Sequence, residues 1–351
     1  MRSLAAALYA AVAMVAHAAS GIELVSVGEF ALPGAKPGEA APTGLSGMTR
    51  VDGDLYYAVS DRDGLLFPMT VRVDRATGAV TGCVFGVAVV LPGHGKRDME
   101  SVAWDDARRM VWIGDEWDGS IRAFDPVTGE CRGEVSVPPV YGAFRFNRSF
   151  ETLAIRANWL EMWTCNEEAL CRKDAVVKLG PDVDDGPRAT RSRGSVVRLQ
   201  KFDRSGPQAD WRPAGQWAYV TDPIGGGDFL GKARSGVADA CCLDDGTILV
   251  LEREMSLRKG SLLPSFRCHI YQAAFDGATD VSRIQSLNGA DYSPVAKKRL
   301  FGQNTGFAMY EGLCLGPMLA DGSRSILMIS DSDAGAVARL YALRLVGAPG
   351  P

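Results

Sequence analysis

The stretch SFETLAIRANWLEMWTCNEEAL, Ser149 to Leu170, sets an acidic residue at both ends of what otherwise reads as an apolar β-hairpin. Glu151 sits at the start of the first strand, and Asn166, Glu167 and Glu168 close the second. In an antiparallel pair, the first residue of one strand and the last of the next share the open end. The polar residues of this segment therefore gather at one end of the hairpin.

The same arrangement recurs along the chain. LSGMTR (Leu45 to Arg50), MESVAW (Met99 to Trp104), FETLAI (Phe150 to Ile155), ADACCL (Ala238 to Leu243) and YEGLCL (Tyr310 to Leu315) align as opening strands. After a turn, each is followed by a second strand with a polar end: LYYAVSDR, MVWIGDEW, EMWTCNEE, TILVLERE and SILMISDS. Stacking the repeats places Ser46, Glu100, Glu151, Asp239 and Glu311 in one column. Asp61, Asp115, Asn166, Glu252 and Asp331 form a second, followed by Arg62, Glu116, Glu167, Arg253 and Ser332. The columns lie 15 residues apart in three repeats, 13 in the fourth and 20 in the fifth, and turns absorb the variation.

Short β-rich runs bounded by Gly, Asp and Pro, with almost no long amphipathic helical pattern, make this an all-β chain. Strand-turn-strand units repeated about an axis form a β-propeller whose first strands line the channel. Five repeats predict five blades; the wide interval between Glu151 and Asp239 leaves room for a sixth. The strand around Glu23 to Leu32 is expected to join the last blade, beside Arg339 to Val346, and so remove free sheet edges.

MRSLAAALYAAVAMVAHAAS combines Arg2, an apolar run from Leu4 to Val15 and the small-x-small pattern Ala16-His17-Ala18, which reads as a secretory signal peptide over 1–18. Residues 19–351 are then a single propeller domain, periplasmic or secreted, with no apolar run long enough to span a bilayer. With 38 basic and 42 acidic residues and a net charge of -4, nothing points to nucleic acid. Eight cysteines in an exported chain suggest pairing of Cys165 with Cys171 and of Cys83 with Cys131. Cys241, Cys242 and Cys314 read as small buried strand residues. Only His94 and His269 follow the signal, so a three-histidine zinc site is excluded and a metal would be a hard cation on oxygen ligands.

Glu100, Glu151, Asp239 and Glu311 around one mouth would repel unless a cation joined them; with Asp61 and Asp115 they are the candidate ligands for calcium. Arg62, Arg97 and Arg253 are candidates to hold a small anionic ester, and Glu116 or Glu167 to act as general base. There is no G-x-S-x-G elbow. PGHGKRD, around His94, lacks the arginine of a histidine phosphatase motif. Lys178 to Ser195 reads as a surface loop, its DVDDG lacks the spacing of a calcium loop, and the glycines of DPIGGGDFLG precede no helix that could bind phosphate.

GLSGM with YYAVSDR, RDMESVAW with GDEWDGSIRAFDP, FETLAI with NEEAL, LVLERE, and YEGLCLGP with LMISDS together resemble the phytase-like family named for "esterase-like activity of phytase", from about Gly28 to Leu345. The resemblance implies an exported propeller that hydrolyses a phosphate or carboxyl ester, with Glu100, Glu151, Asp239 and Glu311 at the family's acidic positions. Ser46 departs from that pattern. The expected activity is calcium-dependent phosphate-ester hydrolysis; the alternatives are a non-catalytic ligand- or protein-binding propeller and a lactonase or carboxyl esterase.

Overall fold

Every second strand of the five repeats reads as an unbroken apolar run, as in LYYAVS and SILMIS, because a propeller blade is covered on both faces. In the computed structural model, Tyr56 to Ser60 and Ser325 to Asp331 are buried without alternation. The structure describes residues 21–34, 42–62, 64–93, 95, 97–145, 148–174, 181–261, 263–331 and 337–347. The expected signal peptide and His94 lie outside them.

Five antiparallel sheets form the ring. Blade 1 runs Leu45–Asp52, Leu55–Ser60, Leu65–Val73 and Val80–Phe85, with the short ribbon Val89–Val90 against its third strand. Blade 2 runs Met99–Asp105, Met110–Asp115, Ser120–Phe124 and Cys131–Glu134. Blade 3 comprises Phe150–Ile155, Glu161–Asn166, Val196–Asp203 and Arg212–Val220. Blade 4 comprises Arg234–Cys242, Ile248–Ser256, Ser265–Ala274 and Ala296–Gly306. Blade 5 takes Met309–Met318, Arg324–Asp331 and Arg339–Val346, and Glu23–Ala31 pairs with the last of these as its outer strand. The N-terminal strand thus closes the ring as expected.

The interval after Glu151 holds the two outer strands of blade 3 and a long connection, so the blade count is five and the sixth-blade alternative falls away. Five of the apolar clusters sit at the five blade junctions; Tyr56 and Phe67 of blade 1, for example, pack with Leu327 and Ile329 of blade 5. No helix among the described residues is long and apolar enough to cross a membrane.

Three local expectations change. All eight cysteines are free thiols. Cys83 and Cys131 lie on outer strands of different blades, while Cys165 is locked opposite Leu199 inside blade 3 and Cys171 bridges to Asp184, so neither expected disulfide forms. The segment read as a surface loop instead buries Val183 and Asp185. Asp185 takes the side chain of the fully buried Arg198 through both oxygens, at 2.7 and 2.8 Å.

Candidate metal centre at the channel mouth

Every inner strand carries a β-bulge near its start, which leaves one residue unpaired and re-aims it. The unpaired residues are Ser46, Glu100, Glu151 and Glu311 in four blades, as the pairing skips from Leu45 to Gly47, Met99 to Ser101, Phe150 to Thr152 and Tyr310 to Gly312. In blade 4 the skip runs from Val237 to Asp239, so the equivalent residue is Ala238. The alignment of ADACCL was one residue out of register.

That slip moves Asp239 away from the expected ligand set. Its carboxylate accepts the backbone N–H of Ala240 at 2.8 Å and of Leu313 in the next blade at 2.6 Å, with Leu153 a third backbone donor. Asp239 therefore ties three inner strands together below the mouth. Burial pushes its carboxyl well above the usual range, against the pull of those three amides.

The closing column also shifts by one in two blades. Ser60, Asp115, Asn166, Glu252 and Ser330 are the paired strand ends, opposite Leu45, Met99, Phe150, Val237 and Tyr310. The residues that follow them are Asp61, Glu116, Glu167, Arg253 and Asp331. Blade 4 is again the exception, with Arg253 where the others carry an acid.

Two overlapping triads result. Carboxylate oxygens of Asp98, Glu100 and Glu116 lie within 4.8 Å of one another, and so do those of Glu116, Glu151 and Glu167. Glu116 belongs to both. Its Oε1 accepts the Ser149 N–H at 2.5 Å, while its Oε2 is buried with no hydrogen-bond partner. Burial, then Glu167 and Asp98, push the Glu116 carboxyl up to about 8. Burial and the carboxylates of Glu116, Asp98 and Asp61 push Glu100 well above its usual range, and burial with Glu167, Glu100 and Glu116 does the same to Glu151. Asp98 is within hydrogen-bonding reach of Glu100, and Glu151 of Glu167. Asp61, beside Asp331, is raised to about 7, mainly by burial. The donor set is carboxylate throughout, with neither thiol nor imidazole, and suits a hard cation.

The other expected residues have defined places. Asp115 accepts Arg97 Nη1 at 2.7 Å and the amides of Asp98 and Trp117, so it braces the loop carrying Asp98. Glu311 forms an ion pair with Arg253 Nη1, and Arg253 Nη2 donates to Glu167 Oε1 at 2.7 Å. Burial pushes Glu167 up, but Arg148 and Arg253 outweigh it and hold its carboxyl below the usual range. Arg253 is thus a counter-ion inside the mouth. Arg62 is half-exposed beside Asp61, 3.7 Å away.

Sequence reasoning missed Asp98 and Arg188. Asp98 lies just before the inner strand, where the repeat alignment did not reach. Arg148 Nη1 stands 2.8 Å from Glu167 Oε2, and Arg188 Nε 3.1 Å from the buried Glu168. The glycine loop engages an internal anion: Gly225 and Gly226 N–H donate to Glu254 at 2.7 and 2.8 Å. A cavity of about 450 Å³ at the opposite end of the channel, between Arg50, Trp104, Cys241 and Arg324, is remote from these triads.

A family model described as "Esterase-like activity of phytase" matches residues 41–334. No curated protein is a significant match to the sequence. Among solved structures, a Lactobacillus plantarum protein shares 10% identity at a TM-score of 0.38, over 90% of each chain. The PQQ-bound aldose sugar dehydrogenase of Streptomyces coelicolor shares 14% at 0.35, over 90% of this chain and 83% of that one. The Dos1 propeller shares 10% at 0.35, over 88% and 69%.

Proposed function

This chain belongs to the phytase-like family, and we propose that it is an exported hydrolase of small phosphate esters that works with calcium held at the acidic mouth. The observation that carries this reading is the pair of carboxylate triads sharing Glu116. Asp98, Glu100, Glu116, Glu151 and Glu167 are the residues that would hold the cation, and Glu116 changes role from candidate base to shared ligand. When bound, the cation would offset the charge that develops on a phosphoryl oxygen and make water a better nucleophile.

The chain's own residues supply the rest. Arg148 is held by Glu167; Arg188 and Arg62, more exposed at the mouth, can orient the anionic ester through charge-assisted hydrogen bonds. Arg97 is occupied by Asp115 and the Pro92 carbonyl, and Arg253 by Glu167 and Glu311, so both act as positioning residues. Glu167, kept ionised by two guanidiniums, is a poor proton acceptor. Asp61 takes the base's role: its carboxyl, raised to about 7, can accept a proton from water near neutral pH.

The test is phosphate release from a panel of phosphate monoesters and diesters by the chain lacking its first 18 residues, with calcium and with chelator. Calcium-dependent release that Glu116→Gln abolishes supports the hydrolase. Calcium binding without release from any phosphate, carboxyl or lactone ester would leave a binding propeller.

A further inference from the structure

Blade 4 breaks the acidic pattern, and its mouth loops carry a second, unlike surface. The loop entering its inner strand and the turn after its second strand are joined: Phe229 N–H donates to the Leu257 carbonyl at 2.9 Å, and Leu257 N–H to that of Gly227 at 2.8 Å. Glycine is required at this junction. A Cβ on Gly226 would lie 2.4 Å from Ser256, and one on Gly227 2.9 Å from the Leu257 carbonyl oxygen. Glu254 anchors the loop through the Gly225 and Gly226 amides, so the two segments form one lobe.

The lobe's tip is apolar and basic. Leu230 is 72% exposed and sits in the left-handed region at φ 59°, which an exposed leucine adopts only at a cost in strain. Leu263 is 57% exposed, and Phe307, next to Gly306 on the strand edge facing Phe266, is 64% exposed. Lys232, Arg258 and Lys259 are the exposed charged residues of these two segments. The acids turn inward: Asp228 accepts the Ala233 N–H, Asp222 pairs with Lys297, and Glu254 is buried.

We propose that this lobe docks the mouth face onto an anionic lipid surface. Large apolar tips flanked by lysine and arginine, with no exposed acid among them, match the chemistry of the headgroup boundary: the tips enter the acyl border while the cations meet lipid phosphates. An acidic protein surface would suit the cations but would leave three separate apolar tips without a matching depth of apolar solvent. The lobe stands on the same end of the propeller as the triads, so docking presents the mouth to molecules at the membrane. This inference is independent of the proposed hydrolysis.

The experiment is cosedimentation of the chain lacking its first 18 residues with phosphatidylcholine vesicles, with and without phosphatidylglycerol, in chelator so that a cation at the triads cannot bridge to lipid. The expected result is binding only when phosphatidylglycerol is present, weakening as salt rises. Leu230→Ser with Phe307→Ser should weaken it at least tenfold, and Arg258→Gln with Lys259→Gln should flatten the salt dependence. Val127→Ser, an equally exposed site at the far end of the propeller, should change nothing. Vesicle binding equal in wild type and the Leu230/Phe307 variant, or no binding to phosphatidylglycerol vesicles by a wild type that melts cooperatively, would overturn the proposal.

Discussion

Arg253 Nη2 donates to Glu167 Oε1 at 2.7 Å, and its Nη1 pairs with Glu311, so one guanidinium from blade 4 joins acids of blades 3 and 5. Blade 4 is also the blade whose bulge holds Ala238 in place of an acid. The two departures act together. A fourth pair of acids, beside those of blades 2, 3 and 5, would add repulsion, whereas Arg253 neutralises part of what its neighbours carry.

Removing that counter-ion should therefore be costly. Arg253→Leu leaves Glu167 and Glu311 buried beside one another without it, and stability in chelator should fall by about 3–5 kcal/mol. Glu311→Gln in the same background should restore part of the loss. Urea denaturation of the single and double variants measures both; an Arg253→Leu protein as stable as wild type would show that the pairing is incidental.

Stability should depend on pH in a direction opposite to that of most acid-rich proteins. Glu116 is raised to about 8 and Asp61 to about 7, both above their values in the unfolded chain. Between the unfolded and folded values the native state binds more protons than the unfolded one, so stability present at low pH is lost as pH rises through about 7 to 8. In chelator, Tm should fall from pH 5.5 to pH 8. Calcium at about 100 times its Kd should reverse the trend, adding about 2.7 kcal/mol, or roughly 4 °C in Tm. Scanning calorimetry across that range decides the matter; a Tm that climbs with pH in chelator would contradict the raised carboxyls of Glu116 and Asp61.

Asp239 makes the opposite prediction from its sequence neighbours in the alignment. Its oxygens are used by the amides of Ala240, Leu313 and Leu153, so Asp239→Asn should cost about 2 kcal/mol of stability through a mismatched donor. Calcium affinity per folded molecule should stay within about twofold of wild type. A calorimetric titration with a tenfold loss would return Asp239 to the ligand set.

The fold was legible because five copies of a strand-turn-strand pattern repeat, and burial on both faces turns each second strand into an apolar run that is hard to mistake. Single-residue register was not legible. ADACCL presents an acid between an apolar or small residue and a small one, as MESVAW does, yet the bulge in blade 4 falls one residue earlier, and only the pairing of Val237 with Glu252 shows it. A repeat-by-repeat alignment has no means of detecting a bulge, since the extra residue lies inside the strand and changes no turn. The basic residues were misjudged for a related reason. Arg97 and Arg253 look like a cationic rim in sequence, whereas the fold spends both on buried carboxylates, as it does Arg148 on Glu167 and Arg188 on Glu168, the last from a segment outside the repeat and the most exposed of the four.

Asp98 offers the sharpest separation of binding from folding. It is half-buried at the entrance, shares a hydrogen bond with Glu100 and contributes an oxygen to the first triad, and it lies just before the inner strand, outside the sheet. Asp98→Asn should leave Tm in chelator unchanged or slightly higher, because one buried repulsion disappears. In calcium the order should invert: losing one anionic ligand of a carboxylate site should weaken Kd at least tenfold, and the calcium-induced rise in Tm should shrink accordingly. Glu151→Gln tests the second triad in the same way. If both variants weaken calcium binding while Asp239→Asn does not, the cation sits where the two triads meet at Glu116; if Asp239→Asn weakens it as much as Asp98→Asn does, the bulge register is wrong as a guide to the ligands.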